Sequence, residues 1–188
     1  MPILLGRVSD HRLTSIAKAA RSCTYSYDEV GATRGPMPSG YRIDRYSVDL
    51  GEDPRSFDRA VEGLRQWRAH LGAGARVAPR AAPIEIGQTV VVAVQLAVLT
   101  AAAPCRIVYV IDEAARYGFA YGTLVGHPER GEESFVVARA GGRSTFDVAA
   151  FSRPASRLAR LGGPVARSVQ TSTTRRYLTA LKSFVDSA

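Results

Sequence analysis

The residue types best suited to chemistry are concentrated between Tyr117 and Phe135, where the sequence reads YGFAYGTLVGHPERGEESF. This stretch holds one histidine, His127, and two adjacent acids, Glu132 and Glu133. Imidazole and carboxyl groups are common general acids and bases, and both also orient polar ligands. The stretch matches no nucleophile, metal or phosphate motif, so it indicates a site without naming a reaction.

The adjacent glutamates must point to opposite faces if they lie on a strand, so one of Glu132 and Glu133 faces inward. An inward carboxylate needs an arginine, a tyrosine or a ligand as its partner, because an unpaired buried charge is costly. Arg106, Arg139 and Arg153 are candidate partners, which favours an internal ion pair. The alternative is an acid with a raised pKa that transfers protons.

His127 precedes Pro128, where the backbone is extended, and it acts either as a hydrogen-bonded structural residue or as a general base. If 117–126 is a strand, Gly118 and Gly122 lie on one face that has little side-chain volume. A helix, another backbone or a ligand can approach such a face closely. Packing against a helix is the simpler interpretation.

The aromatic residues of the predicted elements either fill the core or line a pocket. Buried tyrosine hydroxyls need partners, so several inward tyrosines favour a partly polar cavity. The predicted ligand-binding residues are Tyr46, Trp67, Tyr109, Phe119, Tyr121, His127, Glu133 and Phe135. The predicted catalytic candidates are Glu133, His127, Tyr121 and Arg106. If the protein is an enzyme, Glu133 or His127 moves a proton, and Arg106 or Tyr121 stabilises an anionic intermediate.

The histidines and cysteines show no metal-ligand spacing, so we predict neither a metal nor a cofactor. Two cysteines, Cys23 and Cys105, are too few for a disulfide framework in a chain of this length. The N-terminus also lacks a signal peptide, which favours a cytoplasmic protein. The uncharged segment 86–105 is valine-rich and contains two glutamines, so we predict a buried strand that runs into a turn there, rather than a stable membrane insertion.

The net charge of +8 and the pI of about 10.0 suggest an anionic partner. All but two of the 25 basic residues are arginine, and they are spread along the chain. We therefore predict no nucleic-acid binding, although a basic C-terminal helix that binds an anionic membrane or nucleic acid remains an alternative. On that helix Arg167, Arg175 and Lys182 are expected to face outward.

The elements that must position these residues follow from hydrophobic periodicity and from turn residues. Ser9 caps a first helix, and the Gly- and Pro-rich segment 25–40 is an ordered arm. Asp53 and Pro54 begin a helix over 53–71. A long helix over 164–186 carries a stripe of apolar residues four apart, from Val165 to Val185. The predicted strands are 41–50, 84–99, 105–112, 117–126, 132–140 and 143–152, with a turn at Ala101–Pro104 and a hairpin at Gly141-Gly142.

This order predicts a single α+β domain over 1–188, divided into 1–40, 41–152 and 153–188. A curved antiparallel sheet must cover one face, and one long helix after the last strand can do so. The predicted architecture is therefore a helix-grip fold, in which the sheet wraps around the C-terminal helix and leaves a cavity between them.

Several short segments together resemble the DUF1990 family, a domain of unknown function found in bacteria and plants. The matching segments are 30–33 (VGAT), 38–41 (PSGY), 106–109 (RIVY), 119–124 (FAYGTL), 126–127 (GH), 131–135 (GEESF) and 151–154 (FSRP). The family implies no activity. Its element order resembles the START and Bet v 1-like superfamily of helix-grip proteins, whose members bind lipids, steroids or polyketides, and some of which are cyclases or dehydratases.

The resemblance and the residues together favour a protein that binds a small, apolar or amphipathic ligand in this cavity. An enzyme on the same fold is the alternative. The first helix and the arm precede the usual first strand, so we expect them to cap the cavity or to mediate homodimer formation.

Overall fold

The structure is a computed structural model that describes residues 3–155 and 163–187, apart from the side chains of Ile3, Leu96 and residues 163–171. The described strands are β1 Ile3–Leu5, β2 Arg42–Gly51, β3 Ala75–Ala78, β4 Thr89–Leu96, β5 Leu99–Glu113, β6 Arg116–Thr123, β7 Glu129–Ala140 and β8 Arg143–Pro154. The α-helices are α1 Asp10–Ala19, α2 Ser56–Arg65, α3 Arg68–Gly72 and α4 Gly163–Asp186. Short 3-10 turns span Ala20–Ser22 and Ala32–Arg34.

The strands form one curved, antiparallel sheet in the order β2-β8-β7-β6-β5-β4-β3, and β1 pairs with the first part of β5. Alternation along each strand divides its side chains between two faces. The inner face, which includes Phe119, Phe135 and Val148, packs against α2, α3 and α4 in the main core. Tyr177 and Leu181 of α4 are buried in that core. The predicted helix-grip fold is therefore confirmed.

The outer face of the sheet is also covered, by α1 and by the arm. Leu13 and Ala17 of α1 form a second core with Val91 and Ala102 on the outer side of β4 and β5. The arm, residues 25–40, lies over the outer side of β5–β8, where Tyr27 contacts the ring of Phe151. The expectation that these segments cap the cavity is wrong, because they lie on the opposite side of the sheet from α4.

Most of the predicted elements are found in the structure. The Ser9 hydroxyl accepts a bond from the Arg12 amide at the start of α1, as predicted. Gly141 and Gly142 have φ of +57° and +82° in the β7–β8 hairpin, which non-glycine residues rarely adopt. The long C-terminal helix is present, and its stripe residues Tyr177 and Leu181 are buried. The stripe residue Val165 lies among the side chains that the structure does not describe.

Two predictions about individual elements are wrong. The helix over 53–71 is divided into α2 and α3, because Trp67 has a left-handed backbone with φ +58° and ends the first helix. The turn at Ala101–Pro104 is instead part of β5, and the chain reverses at Ala97, with φ +49°, and Val98. Pairing of Val92 with Ala103 extends the strand through the alanines. The short strands β1 and β3 were not predicted.

The valine-rich segment 86–105 is extended rather than helical, as predicted, but it contributes to two strands, β4 and the first part of β5, instead of one. Within the described residues, no helix combines the length and the apolar character needed to cross a membrane.

Candidate functional site

A polar cluster lies on the inner face of the sheet, where β6, β7, α3 and α4 meet. The Tyr121 hydroxyl on β6 donates to Oε2 of Glu133 on β7, 2.8 Å away, and the two residues are register partners. Nε2 of His70 on α3 lies 3.3 Å from the same hydroxyl oxygen. Tyr177 of α4 packs on the His70 ring, with centroids 4.6 Å apart. We call these four residues the inner cluster.

Aromatic rings surround the inner cluster. The His70 ring centroid lies 4.9 Å from Trp67 and 4.7 Å from Phe135, and Phe119 stacks on Phe135. These rings are fully buried, and a buried Phe typically contributes about 2–3 kcal/mol through the hydrophobic effect. The polar atoms of the inner cluster therefore lie at one end of a core of aromatic rings.

The break between α2 and α3 places His70 in the core. Trp67 holds a backbone conformation that is unfavourable for a bulky residue, and such strain persists only where the surroundings impose it. Its indole Nε1–H donates to the Ala82 carbonyl at 2.8 Å, and its ring packs edge-on against Phe119. A continuous helix would carry residues 68–72 along a different direction, so the Trp67 turn decides where His70 points.

Glu133 is surrounded by protein yet retains some solvent-accessible surface, as expected of a side chain that lines a recess. Burial raises its pKa to about 7, against the lowering effect of the Tyr121 hydrogen bond. The negative charges of Glu129 and Asp44 raise the pKa further. Burial and the charge of Glu133 in turn raise the pKa of Tyr121 and of Tyr177.

The hydrogen bonds of the inner cluster define the state of His70. Burial lowers its pKa to about 3, so the ring is neutral near pH 7 and carries one proton. Because Tyr121 gives its proton to Glu133, its oxygen accepts from His70 Nε2–H. Nδ1 then has a lone pair, and this buried atom finds no hydrogen-bond partner within the described part of the chain. Chemically, the cluster can accept hydrogen bonds from a ligand.

The other glutamate, Glu132, attaches the arm to the outer face. Its Oε2 accepts from the Tyr27 hydroxyl and the Gly31 amide, both at 2.7 Å. Its Oε1 accepts from the Thr33 amide at 3.0 Å and from the Thr33 hydroxyl. The Thr33 hydroxyl also lies 2.8 Å from that of Tyr109. Four donors satisfy this buried carboxylate, which explains how its burial is tolerated.

The glycine face predicted on β6 is the outer face, and the arm packs on it. A Cβ atom on Gly122 would collide with the Tyr27 hydroxyl, so only glycine leaves room for the Tyr27–Glu132 bond. The close packing partner of Gly122 is therefore an arm side chain, whereas a Cβ atom on Gly118 would collide with the backbone of β7 at Phe135 and Val136. Neither glycine makes room for a helix or a ligand.

Two of the predicted site residues, Tyr109 and Arg106, point to the outer face of the sheet. The hydroxyl of Tyr109 contacts the arm on the outer face. Arg106 donates from Nη2 to the carbonyl oxygens of Ala20, Arg21 and Cys23, at 2.9–3.3 Å. Tyr109 and Arg106 are therefore not part of the inner cluster. Strand alternation directs Arg106 outward, and a bulge between 107 and 109 directs Tyr109 outward as well.

The predicted internal ion pair is not found among the described residues. Arg139 lies over the Phe57 ring and Arg153 over the Tyr41 ring, with 5.0 and 4.4 Å to the centroids. Glu133 is bonded instead to a tyrosine hydroxyl.

His127 lies in the β6–β7 loop, where its Nδ1 accepts from the Glu129 amide at 2.9 Å. Burial lowers the pKa of His127 to about 4, so it is neutral at neutral pH. The described contacts of His127 are therefore those of a hydrogen-bonded structural residue.

The remaining predicted residues share the inner face. Glu133, Tyr121, Phe119, Phe135 and Trp67 come together there, and Tyr46 of β2 faces the same side, opposite Val148.

Sequence reasoning missed the contributions of His70 and Tyr177 to this site. Their signals were weak, since Tyr177 appeared only as one member of an apolar stripe. His70 lies three residues after Trp67, which places both on one side of a helix.

Comparison with known proteins places this chain in a family. The model for a domain of unknown function, DUF1990, matches residues 26–180. The chain belongs to the DUF1990 family. The match starts within the arm and includes both glutamates, whereas α1 precedes it. The UPF0548 protein of Deinococcus radiodurans is 32% identical over 188 residues, with 88% of this chain and 90% of the relative covered. The UPF0548 protein of Arabidopsis thaliana is 29% identical, with 79% and 76% covered.

Solved structures share the fold of this DUF1990 chain at low identity. The hypothetical protein jhp0584 from Helicobacter pylori has a TM-score of 0.56 at 9% identity, with 79% of this chain and 91% of that one covered. The Bet v 1-like protein Ara h 8.0201 has a TM-score of 0.52 at 17% identity, with 79% and 100% covered. These likenesses support the helix-grip fold of the DUF1990 chain and carry no information about its chemistry.

Proposed function

We propose that this protein binds a small, partly apolar organic molecule on the inner face of the sheet, beside α4. The observation that supports the proposal is a pair of polar groups in the aromatic core whose hydrogen-bonding capacity the described residues do not use up. Glu133 retains accessible surface, and His70 Nδ1 lacks a partner among the described residues. Ligand sites typically combine apolar walls with a few polar groups that fix orientation.

The arrangement of the walls supports a ligand with a distinct apolar part. Phe119 and Phe135, which stack on each other, lie directly beside the inner cluster. On the other side of Glu133 lies Ala150 of β8, a small residue that leaves space near the carboxyl group. The polar part of the ligand would contact Glu133, and the apolar part would lie against the rings.

The experiment measures the fluorescence of Nile red, a neutral apolar probe, as it is titrated into the protein. We expect saturable binding at one site in the wild type. Ala150→Leu adds bulk beside Glu133 and is expected to weaken binding at least about tenfold, which corresponds to ~1.4 kcal/mol. Ala140→Leu, at an exposed position of the same sheet, is the matched control and should bind like the wild type.

Absence of saturable binding in the wild type, or equal binding by Ala150→Leu, would overturn the proposal. Ala150→Val adds less volume and replaces the leucine variant if that variant does not fold. A pKa near 7 would also suit Glu133 to proton transfer. Conversion of a bound ligand by the wild type but not by Glu133→Gln would show that the protein is an enzyme.

A further inference from the structure

The inner cluster has a one-sided hydrogen-bonding capacity. Tyr121 donates its only proton to Glu133, and the two lone pairs of its oxygen accept from His70 Nε2–H and from the neighbouring Tyr177 hydroxyl. What remains open is Oε1 of Glu133, which has no bond to a described residue, and Nδ1 of His70. Both atoms are acceptors when Glu133 is ionised. A complementary ligand must therefore supply N–H or O–H donors.

The charged groups that act on Glu133 are acidic. Glu129 and Asp44 both act on it as like charges, and among the described residues no cation acts on it to a comparable extent. Arg42, the neighbouring cation, holds Asp44 with Nε 2.7 Å from Oδ2. The inner cluster is therefore locally acidic in a protein whose net charge is +8. A buried carboxylate without a cation is costly, and a cationic ligand would remove that cost.

The walls of the site are suited to a cation as well. The rings of Phe135, Tyr121 and Tyr177 all lie within 6 Å of the His70 ring centroid, at 4.7, 5.8 and 4.6 Å. The faces of aromatic rings attract ammonium groups through the ring quadrupole, most strongly where water is excluded.

From these three features we propose that the inner cluster binds an organic cation, specifically a protonated amine on an aromatic or otherwise apolar skeleton. The proposal rests on the proposed function, because it names the class of ligand that this same site takes. The ammonium group donates to Glu133 Oε1 and reaches toward His70 Nδ1, and the apolar skeleton lies against Phe119 and Phe135.

The test compares three ligands of similar size by isothermal titration calorimetry: phenethylamine, phenethyl alcohol and phenylpropionate. At about pH 8, where Glu133 is ionised, the amine should bind at least about tenfold more tightly than the alcohol, and the carboxylate most weakly. Glu133→Gln should reduce amine binding to the level of the alcohol. Glu113→Gln removes the same charge at an exposed position and should leave all three affinities unchanged.

Affinity for the amine should also rise about tenfold between about pH 6 and pH 8, as Glu133 with its pKa of about 7 ionises. The other titratable or charged groups near Glu133 are Tyr121, Tyr177, His70, Cys105, Asp44, Glu129 and Arg42. His70 stays neutral throughout this range, and burial raises the pKa of Tyr121, Tyr177 and the Cys105 thiol above it.

Tighter binding of the alcohol or the carboxylate by the wild type would overturn the proposal, as would an amine preference that survives in Glu133→Gln. If Nile red still binds in either case, the site is a ligand site of another class and only the cation assignment fails. If neither Nile red nor any of the three compounds binds, the proposed function fails with it.

Discussion

Two adjacent residues of the same type, Glu132 and Glu133, have opposite energetic roles because a strand directs them to opposite faces. Glu132 is buried, and its carboxylate accepts from two backbone amides and two hydroxyls. Glu133 is bonded to one hydroxyl, and burial raises its pKa to about 7. Hydrogen bonds therefore satisfy the carboxylate at the first position, whereas burial penalises the ionised form at the second.

We predict that glutamine substitutions at these two positions change stability in opposite directions at about pH 8. Glu132→Gln puts an amide group among four donors and should reduce the free energy of unfolding by about 3–5 kcal/mol. Glu133→Gln removes a penalised charge and should increase it, by up to about 3 kcal/mol, since one pKa unit equals ~1.36 kcal/mol. Urea unfolding of both variants at two pH values measures these changes.

The pH dependence has a definite sign for Glu133. Its folded pKa of about 7 lies above the ordinary value of 4.5. The contribution of Glu133 to stability is therefore fully present below about pH 4.5, where Glu133 is protonated in both states, and is lost as the pH rises through about 7 and the buried carboxyl ionises. The gain in the free energy of unfolding from Glu133→Gln should therefore vanish near pH 4.5, the ordinary pKa of a glutamate. A gain that is as large in acid as in base, or a loss at about pH 8, would contradict the assignment of Glu133 as a penalised inner carboxyl.

At the scale of elements, two glycines let α4 lie close to α2 and α3. A Cβ on Gly63 of α2 would lie 2.6 Å from Leu181 Cδ1 and 2.9 Å from Phe184 Cδ1. A Cβ on Gly72 of α3 would lie 2.7 Å from the Ala180 Cβ. The ends of Leu181 and Phe184 can rotate, whereas the Cβ of Ala180 moves only with its helix backbone. Gly72 is thus the stricter requirement for the position of α4.

We predict that Gly72→Ala destabilises the protein by about 1–3 kcal/mol, because it forces α4 away from α3. Gly63→Ala should cost less, since a flexible neighbour yields and alanine gains about 1 kcal/mol of helix propensity. Gly35→Ala is the control, because a Cβ there meets no atom within 4 Å and its φ is −139°. Thermal unfolding followed by circular dichroism measures all three. Equal melting temperatures for Gly72→Ala and Gly35→Ala would refute this account of the packing.

At the scale of the whole molecule, much of the positive charge is engaged within the fold. Arg143 is paired with Asp49 and Glu52, and Arg76 with Asp10. Other arginines lie over aromatic rings. On the described part of α4, Arg175 is exposed, as predicted, and Lys182 is paired with Asp186 at 3.0 Å. The side chain of Arg167, which is also predicted to face outward, is not among those that the structure describes.

We predict that the protein binds neither duplex DNA nor anionic vesicles at physiological ionic strength. Exposed charges that are scattered and partly paired are screened within about 8 Å in such a solution. Cosedimentation with phosphatidylserine vesicles and a DNA mobility shift, each at low and at physiological salt, measure the binding. Vesicle binding that persists at physiological salt and is lost in the double variant Arg175→Glu and Arg176→Glu would instead favour a surface-binding role for α4.

The sequence by itself determined the order of the main elements, and with it the fold. Alternation on β7 and β8, the Gly141-Gly142 turn and the stripe on α4 are local patterns, so they can be read without long-range contacts. The same alternation shows that Glu132 and Glu133 face opposite ways, but it does not say which of them faces the helices. Only the tertiary structure decided that, because the choice depends on which side of the sheet α4 packs.

The composition of the site also depended on tertiary structure. The left-handed turn at Trp67 brings His70 to Tyr121, although the local pattern favours an unbroken helix. The bulge in β5 turns Tyr109 outward toward the arm. Both effects arise from packing between segments that are far apart in the chain, and packing of that kind overrides local propensity. The sequence therefore determined the residues available to the site, and packing decided which of them meet.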